Sequence, residues 1–173
     1  MKTLISTILI MNSLLLFDFS ASSDWSVWEI ENDVVMGGTS TSKLSRSEEG
    51  NALFTGYVSL ENNGGFASMQ YHFKSRDISG YDKAVIRLKG DGKEYQFRIK
   101  ADLNERASYT YTFKTSGEWQ TIEIPLERME PSFRGNKLNL PNFNASKLQE
   151  IRFMIANGKA ENFRLEIDKI ELQ

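Results

Sequence analysis

The chain has no cysteine, a single histidine and three prolines among its 173 residues, and these scarcities close off several chemistries. Without cysteine there is no disulfide, no thiolate nucleophile, no zinc–cysteine site and no N-terminal cysteine to carry a lipid. With His72 alone, neither a histidine metal cluster nor a Ser-His-Asp triad has material to spare. His72 falls on the polar side of its segment, with no carboxylate or cysteine at metal-ligand spacing, and reads as a surface histidine. An excess of one charge is missing too. Lys plus Arg total 21 against 23 for Asp plus Glu, a formal net charge of −2, so nothing electrostatic asks for nucleic acid. Long apolar runs are also scarce: Leu4 to Phe17, taken as a helix, would extend about 21 Å, short of a bilayer core of about 30 Å.

What is present fits one globular domain large enough for a real core, with 40% hydrophobic and 25% charged residues. Lys2 precedes an apolar run from Leu4 to Met11, diluted by Ser6 and Thr7. Asn12-Ser13 and a second run, Leu14 to Phe17, follow. That start resembles a short signal peptide and points to export to a periplasm or envelope rather than the cytoplasm, with any cut near Ser13. Residues 1–13 are then a signal peptide or apolar extension, and 14–173 the folded domain. Ser20-Ala21-Ser22 also has small residues suited to cleavage. A cut there would remove Leu14-Leu15-Leu16-Phe17-Asp18-Phe19, which reads as a buried first strand.

Period-two alternation dominates after residue 50. Ala67, Met69, Tyr71 and Phe73 share one face, as do Ala84, Ile86 and Leu88, then Tyr95, Phe97 and Ile99. Tyr109, Tyr111 and Phe113 continue the pattern, as do Ile122 and Ile124 and later Ile151, Phe153 and Ile155. Phe163, Leu165 and Ile167 are odd-numbered whereas Ile170 and Leu172 are even, so Asp168-Lys169 is expected to bulge. Turns are expected at Asn62-Asn63-Gly64-Gly65 and Gly90-Asp91-Gly92, both read as hairpin signals, and at Ser79-Gly80, Ser116-Gly117 and Asn157-Gly158. Glu127 to Asn144, holding Pro131 and Pro141, has no periodicity and is expected to be a long ordered loop. Ala145 to Gln149 offers one short helical turn. Many short strands with almost no helix to make crossovers imply an all-β antiparallel sandwich or jelly roll.

Two runs pair glycines with Asn or Asp: Asn32-Asp33-Val34-Val35-Met36-Gly37-Gly38-Thr39-Ser40 and Asn62-Asn63-Gly64-Gly65-Phe66. The first can present Asn32 and Asp33 to a ligand, with Gly37 and Gly38 admitting close backbone approach. Equally, it can be an Asx-type turn fixing a crossover of the sandwich. Ser68, Gln70, Arg87, Gln96, Arg98 and Arg152 lie opposite the apolar stripes of their strands, as either a binding face or a solvated one. Trp28 and Trp119 are assigned to the core or its rim and Trp25 to the surface, where a tryptophan can stack on a sugar. Glu118, Glu123, Asp77 and Asp91 lie on turns or solvent faces, and no motif converges two of them for catalysis. The loops offer oxygen ligands suited to a structural Ca²⁺, but no ligand run assigns one.

Taken in order, Phe17-Asp18-Phe19, Trp28, the Asn32 to Ser40 run and Gly56-Tyr57-Val58-Ser59-Leu60-Glu61-Asn62-Asn63-Gly64-Gly65-Phe66 resemble the CIA30 family, complex I intermediate-associated protein 30. Lys89-Gly90-Asp91-Gly92-Lys93-Glu94-Tyr95, Gly117-Glu118-Trp119-Gln120 and Phe133-Arg134-Gly135 fit its pattern as well. The resemblance implies a galactose-binding-domain-like jelly roll in a stand-alone, bacterial-type chain. It also implies a non-enzymatic partner of protein subunits: an assembly factor for respiratory complex I (NADH:ubiquinone oxidoreductase) that chaperones unfolded or intermediate subunits. An oxidoreductase label would belong to the assembled complex, not to chemistry in this chain. The alternative is a carbohydrate-binding jelly-roll module of the cell envelope, and a distant third is an unrecognised carboxylate enzyme. Candidate binding residues are Asn32, Asp33, Met36, Gly37, Gly38 and Ser40, then Asn62, Asn63, Arg98 and Arg134. No catalytic residue, metal ligand or cofactor is assigned.

Overall fold

The computed structural model describes residues 12–19 and 23–173. The apolar start up to residue 11 and the Ser20-Ala21-Ser22 site lie outside the described residues. Strands in chain order are β1 (Leu14–Asp18), β2 (Trp28–Asn32), β3 (Thr41–Arg46), β4 (Ala52–Val58), β5 (Ala67–Asp77), β6 (Lys83–Lys89) and β7 (Glu94–Lys100). They continue with β8 (Ser108–Lys114), β9 (Trp119–Pro125), β10 (Glu130–Phe133), β11 (Asn136–Lys137), β12 (Lys147–Ile155) and β13 (Glu161–Leu172). Among the described residues helical structure is confined to short 3-10 turns, and no helix is long and apolar enough to cross a membrane. The protein is the expected all-β antiparallel sandwich.

The smaller sheet runs β3-β4-β13-β6-β9, with β1 pairing the second half of β13 beyond the end of β4. The larger sheet runs β11-β10-β8-β7-β12-β5-β2. Alternation decides what faces inward. Phe54, Ile86, Leu88, Leu165 and Ile167 from the smaller sheet meet Met69, Phe97, Ile99, Ile151 and Phe153 from the larger, all buried in one core. Each such side chain contributes on the order of 2 kcal/mol by leaving water.

The bulge in β13 falls where the parity of the sequence demands it. Its pairing with β6 shifts between Ile167 and Lys169, so that Phe163, Leu165 and Ile167, and then Ile170 and Leu172, all reach the core. The Asp168 carbonyl at that bulge accepts the Phe19 N–H at 2.8 Å, which ties the end of β1 to it. Phe17 and Phe19 then join a run of rings: Phe19 lies 5.1 Å from Trp28, Trp28 5.6 Å from Tyr71 and 6.3 Å from Phe153. The segment Leu14 to Phe19 is thus an integral strand of the sandwich, as its apolar pattern suggested.

Several local expectations are corrected. Asn62 to Gly65 and Gly90 to Gly92 do not close hairpins: β4 and β6 belong to the smaller sheet, β5 and β7 to the larger. A tight Gly-rich turn between alternating segments looks the same whether the next strand pairs with its predecessor or crosses to the facing sheet about 10 Å away. Glu127 to Asn144 is not loop throughout, because Glu130–Phe133 and Asn136–Lys137 form a small hairpin that extends the larger sheet past β8. No helical turn forms at Ala145 to Gln149. The Ser146 carbonyl instead accepts the Ile78 N–H at 2.8 Å, and β12 starts at Lys147.

The ring contacts of Phe19 make β1 a test of this architecture. Phe19→Ala should cost about 3–5 kcal/mol in chemical denaturation. A chain starting at Ser23 should melt well below one starting at Leu14; equal melting temperatures would show that β1 is dispensable.

Candidate functional site

Asp33 follows directly on β2, at the start of a 3-10 turn that carries the chain from the larger sheet to the smaller, and it is fully buried. Its carboxylate accepts four hydrogen bonds: from the Ser40 N–H at 2.9 Å, Ser40 Oγ at 2.5 Å, the Gly65 N–H at 2.7 Å and the Phe66 N–H at 3.3 Å. Its backbone N–H also reaches the Phe66 carbonyl at 3.3 Å. One side chain therefore clasps both glycine-containing crossovers. Ser40 extends the clasp, since its Oγ accepts the Ser59 N–H at 2.9 Å. Burial pushes the Asp33 pKa up, but the hydrogen bonds from Ser40, Gly65 and Phe66 outweigh it and hold the carboxyl below its ordinary value.

The glycine pairs serve this one carboxylate from two sides. In each pair, one glycine supplies backbone geometry: Gly37 at φ 93° and Gly65 at φ 145°. The other supplies room. A Cβ on Gly38 would sit 2.4 Å from the Asp33 Cγ, and one on Gly64 2.6 Å from its Oδ2. Asn62 and Asn63 turn the second crossover with φ of 54° and 61°, a conformation asparagine tolerates, and their side chains are exposed. Asn32 accepts a hydrogen bond from Ser42 Oγ at 2.7 Å. On the far side of the clasp Val34, Val35 and Met36 stand 59%, 68% and 55% exposed, an apolar knuckle on a rigid base, with Leu60 of the second crossover also exposed.

Arg98 and Arg134 lie elsewhere. Arg134 occupies the β10–β11 turn at φ 49°, with its guanidinium 5.2 Å from the centroid of the Phe133 ring. Arg98 belongs to the outward face of the larger sheet, where Glu29, Gln70, Arg152, Arg98 and Thr110 stand in register across five strands. Of the polar residues singled out from the sequence, Ser68, Gln70, Gln96, Arg98 and Arg152 do share this face. Arg87 does not: it is on the smaller sheet, paired with Asp168 at 3.0 Å.

Arg152 is saturated there. It pairs with Glu31 at 3.2 Å and Glu150 at 3.1 Å, and it also donates to Ser68 Oγ and Gln70 Oε1. Glu150 takes His72 Nε2 at 3.0 Å, so the lone histidine has a carboxylate partner after all, on the strand beside it. Sequence spacing could not show this, because residues 72 and 150 meet only through the β5–β12 pairing. The face bears a cleft of about 440 Å³ over β7, β8 and β10, lined by Gln96, Arg98, Thr110, Thr112, Arg128 and Glu130 among others.

The tryptophans are not on this face. Trp28 is buried in the core. Trp25, expected at the surface, is half-buried against Phe19 with Arg46 4.0 Å above its ring. Trp119, expected at the core or its rim, lies on the outer side of the smaller sheet under Arg87, 5.1 Å away. The strand positions that form the polar face hold His72 but no Trp, Tyr or Phe. Among the carboxylates weighed for catalysis, Glu123 pairs with Lys83 at 3.0 Å and Asp77 caps Ser79. Asp91 is a second clasp that sequence reasoning missed: it accepts from Lys93 Nζ at 2.7 Å, Tyr95 Oη at 3.0 Å and the Arg164 N–H at 3.0 Å. Its position between two glycines of a crossover was the available signal. Among the described residues no three His, Asp or Glu side chains converge to hold a metal ion.

Comparison with known proteins extends these observations. A family model described as complex I intermediate-associated protein 30 (CIA30) matches residues 17–167. An uncharacterized protein of Schizosaccharomyces pombe is 28% identical over 162 residues, covering 80% of this chain and 74% of the yeast protein. The mitochondrial complex I intermediate-associated protein 30 of Mus musculus is 25% identical over 177 residues, 89% of this chain but 54% of the mouse protein. Among solved structures, a family 11 carbohydrate-binding module from Clostridium thermocellum, in complex with a β-1,3-1,4-mixed-linked tetrasaccharide, superposes with a TM-score of 0.70 at 20% identity. That match covers 92% of this chain and 94% of the module. An agarase superposes with a TM-score of 0.65 at 16% identity, covering 94% of this chain and 24% of the enzyme. At these identities the solved structures attest the jelly-roll fold.

The clasp makes its own prediction. Asp33→Asn puts an amide N–H₂ against groups that themselves donate and should cost about 2–4 kcal/mol in urea denaturation at neutral pH. Because the folded pKa is lowered, the contribution of the carboxylate is complete above the unfolded value of about 3.9 and is lost as pH falls through the lower folded value, so the two proteins should converge in strong acid. Gly64→Ala should cost less in an Asp33→Ala background than alone, because the remaining close neighbour is the Glu61 carbonyl at 3.0 Å. Additive costs would refute the shared clasp.

Proposed function

The chain belongs to the CIA30 family, and on that premise we propose that it is a non-enzymatic binding protein that assists assembly by holding protein subunits or assembly intermediates. The observation that carries this reading is the knuckle of Val34, Val35 and Met36. Consecutive apolar side chains stand in solvent, yet their backbone is fixed by the buried Asp33 rather than left to collapse onto the core. An exposed apolar cluster on a rigid turn suits recognition of apolar surface in an incompletely assembled client. A role in respiratory complex I assembly rests on the family and on the mouse relative.

Affinity capture from the native cells tests the proposal. Respiratory or membrane-complex subunits should co-purify with the wild-type chain, and Val35→Asp with Met36→Glu should reduce their recovery severalfold while leaving the melting temperature intact. Recovery at background level, or recovery indifferent to the substitutions, would sink the reading.

A second reading has its own support in the open polar face and cleft of the larger sheet and in the likeness to carbohydrate-binding modules: a glycan-binding module of the cell envelope. Binding would then rest on planar hydrogen bonding by Arg and Gln. Calorimetric titration with β-glucan oligosaccharides, common hexoses and cell-wall glycans should give saturable heats if this reading holds, and flat traces throughout would eliminate it.

A further inference from the structure

Arg98 and Arg152 are direct neighbours across β7 and β12, yet their surroundings differ. Glu31 and Glu150 are both committed to Arg152. Arg98 is 92% buried, its residue exposure being 8%, and among the described residues it has no carboxylate at ion-pair distance. Its Nη2 donates to Ser132 Oγ at 3.0 Å, while Nη1 reaches Gln96 Oε1 and the weakly accepting Met154 sulfur, each at 3.4 Å. Its Nε has no acceptor among the described residues. A buried guanidinium is ordinarily matched by an anion or fully hydrogen-bonded, because desolvating an unmatched charge is costly.

The cleft beside it repeats the imbalance. Arg98, Arg128 and Lys137 line it against Glu130, and Glu130 is already neutralised by Lys137 at 2.6 Å. Arg128 is exposed at the rim. The rest of the lining includes Gln96, Thr110 and Thr112, short side chains that both donate and accept. Thr110 and Ser132 share a hydrogen bond at 2.8 Å, which fixes the hydroxyl wall beside the guanidinium.

We propose that this cleft is a carboxylate-binding subsite, in which Arg98 and Arg128 take the side chain of a Glu or Asp in an extended acidic segment of a protein client. The inference rests on the reading that the client is a protein, and it adds a second, polar contact to the apolar knuckle. A carboxylate supplies the planar pair of acceptors that a guanidinium fork matches. The hydroxyl and amide wall then serves the backbone on either side of that acidic residue.

The test uses the full chain and three probes: a short fluorescent peptide alternating Glu and Thr, its Gln-for-Glu counterpart, and an oligouronate. The Glu peptide should bind with an affinity that falls as salt rises, and its Gln counterpart about tenfold more weakly or worse. Arg98→Gln and Arg128→Gln should each remove most of that discrimination. If Arg98→Gln fails to fold, Arg128→Gln decides alone, since that side chain is exposed. Equal binding of the two peptides, indifference to Arg128→Gln, or binding of the oligouronate alone would overturn the proposal. Its failure is separable from failure of the knuckle reading, which is scored by client recovery with Val35→Asp and Met36→Glu.

Discussion

A carboxylate taken out of water must be compensated by donors, and in this sandwich the compensation of Asp33 dictates the shape of two chain segments at once. Four donors from Ser40, Gly65 and Phe66 converge on it. Each comes from a loop that joins one sheet to the other, so satisfying the charge also sets where β3 and β5 begin. The two glycine pairs, Gly37-Gly38 and Gly64-Gly65, follow from that demand: in each, one residue bends the backbone and the other leaves space for the carboxylate. Val34, Val35 and Met36 stay in solvent because the residue before them is pinned.

The larger sheet applies the same electrostatic logic with two different outcomes. Around Arg152, Glu31, Glu150, Ser68 and Gln70 complete the hydrogen bonding, and the cluster is internally closed. Around Arg98, one strand away, the partners are a serine hydroxyl, a distant amide oxygen and a sulfur. Burial, then the charge of Arg152, pulls its pKa down to about 10, which still leaves it charged at neutral pH. Closed and open arginines side by side distinguish the part of the face that holds the sheet together from the part left for something else.

Much of this was legible in the residues, and the limits have physical causes. Alternation placed Met69, Phe97, Ile151 and Leu165 in the core, and the switch from odd to even numbering after Ile167 located the bulge, because a strand has a strict period that a mismatch must break. The jelly roll and the family could be read from spaced motifs. What could not be read were properties of pairing between distant strands. The partner of His72 is Glu150, the glycines at 64 and 65 answer to Asp33, and the turns at 62–65 and 90–92 change sheets. Each of these depends on which strands lie side by side, and local sequence is silent on that. Met36, picked as a contact residue, does reach solvent, whereas Asp33 and Ser40 from the same run are turned inward.

The position of β13 carries a consequence for how the chain is made. The last of the sandwich's strands in chain order is the central strand of the smaller sheet, flanked by β4 and β1 on one side and β6 on the other. Until Glu161–Leu172 has left the ribosome, β4 and β6 each lack a neighbour and the apolar faces of Phe54, Ile86 and Leu88 have nothing to close over them. The smaller sheet therefore completes only once β13 is free to pair, and its unpaired edges are on offer to other chains throughout that interval. A premature stop anywhere before residue 161 yields a polypeptide with most of its hydrophobic strands and no centre to organise them, so quality control in the cell would meet an aggregating fragment and not a smaller domain.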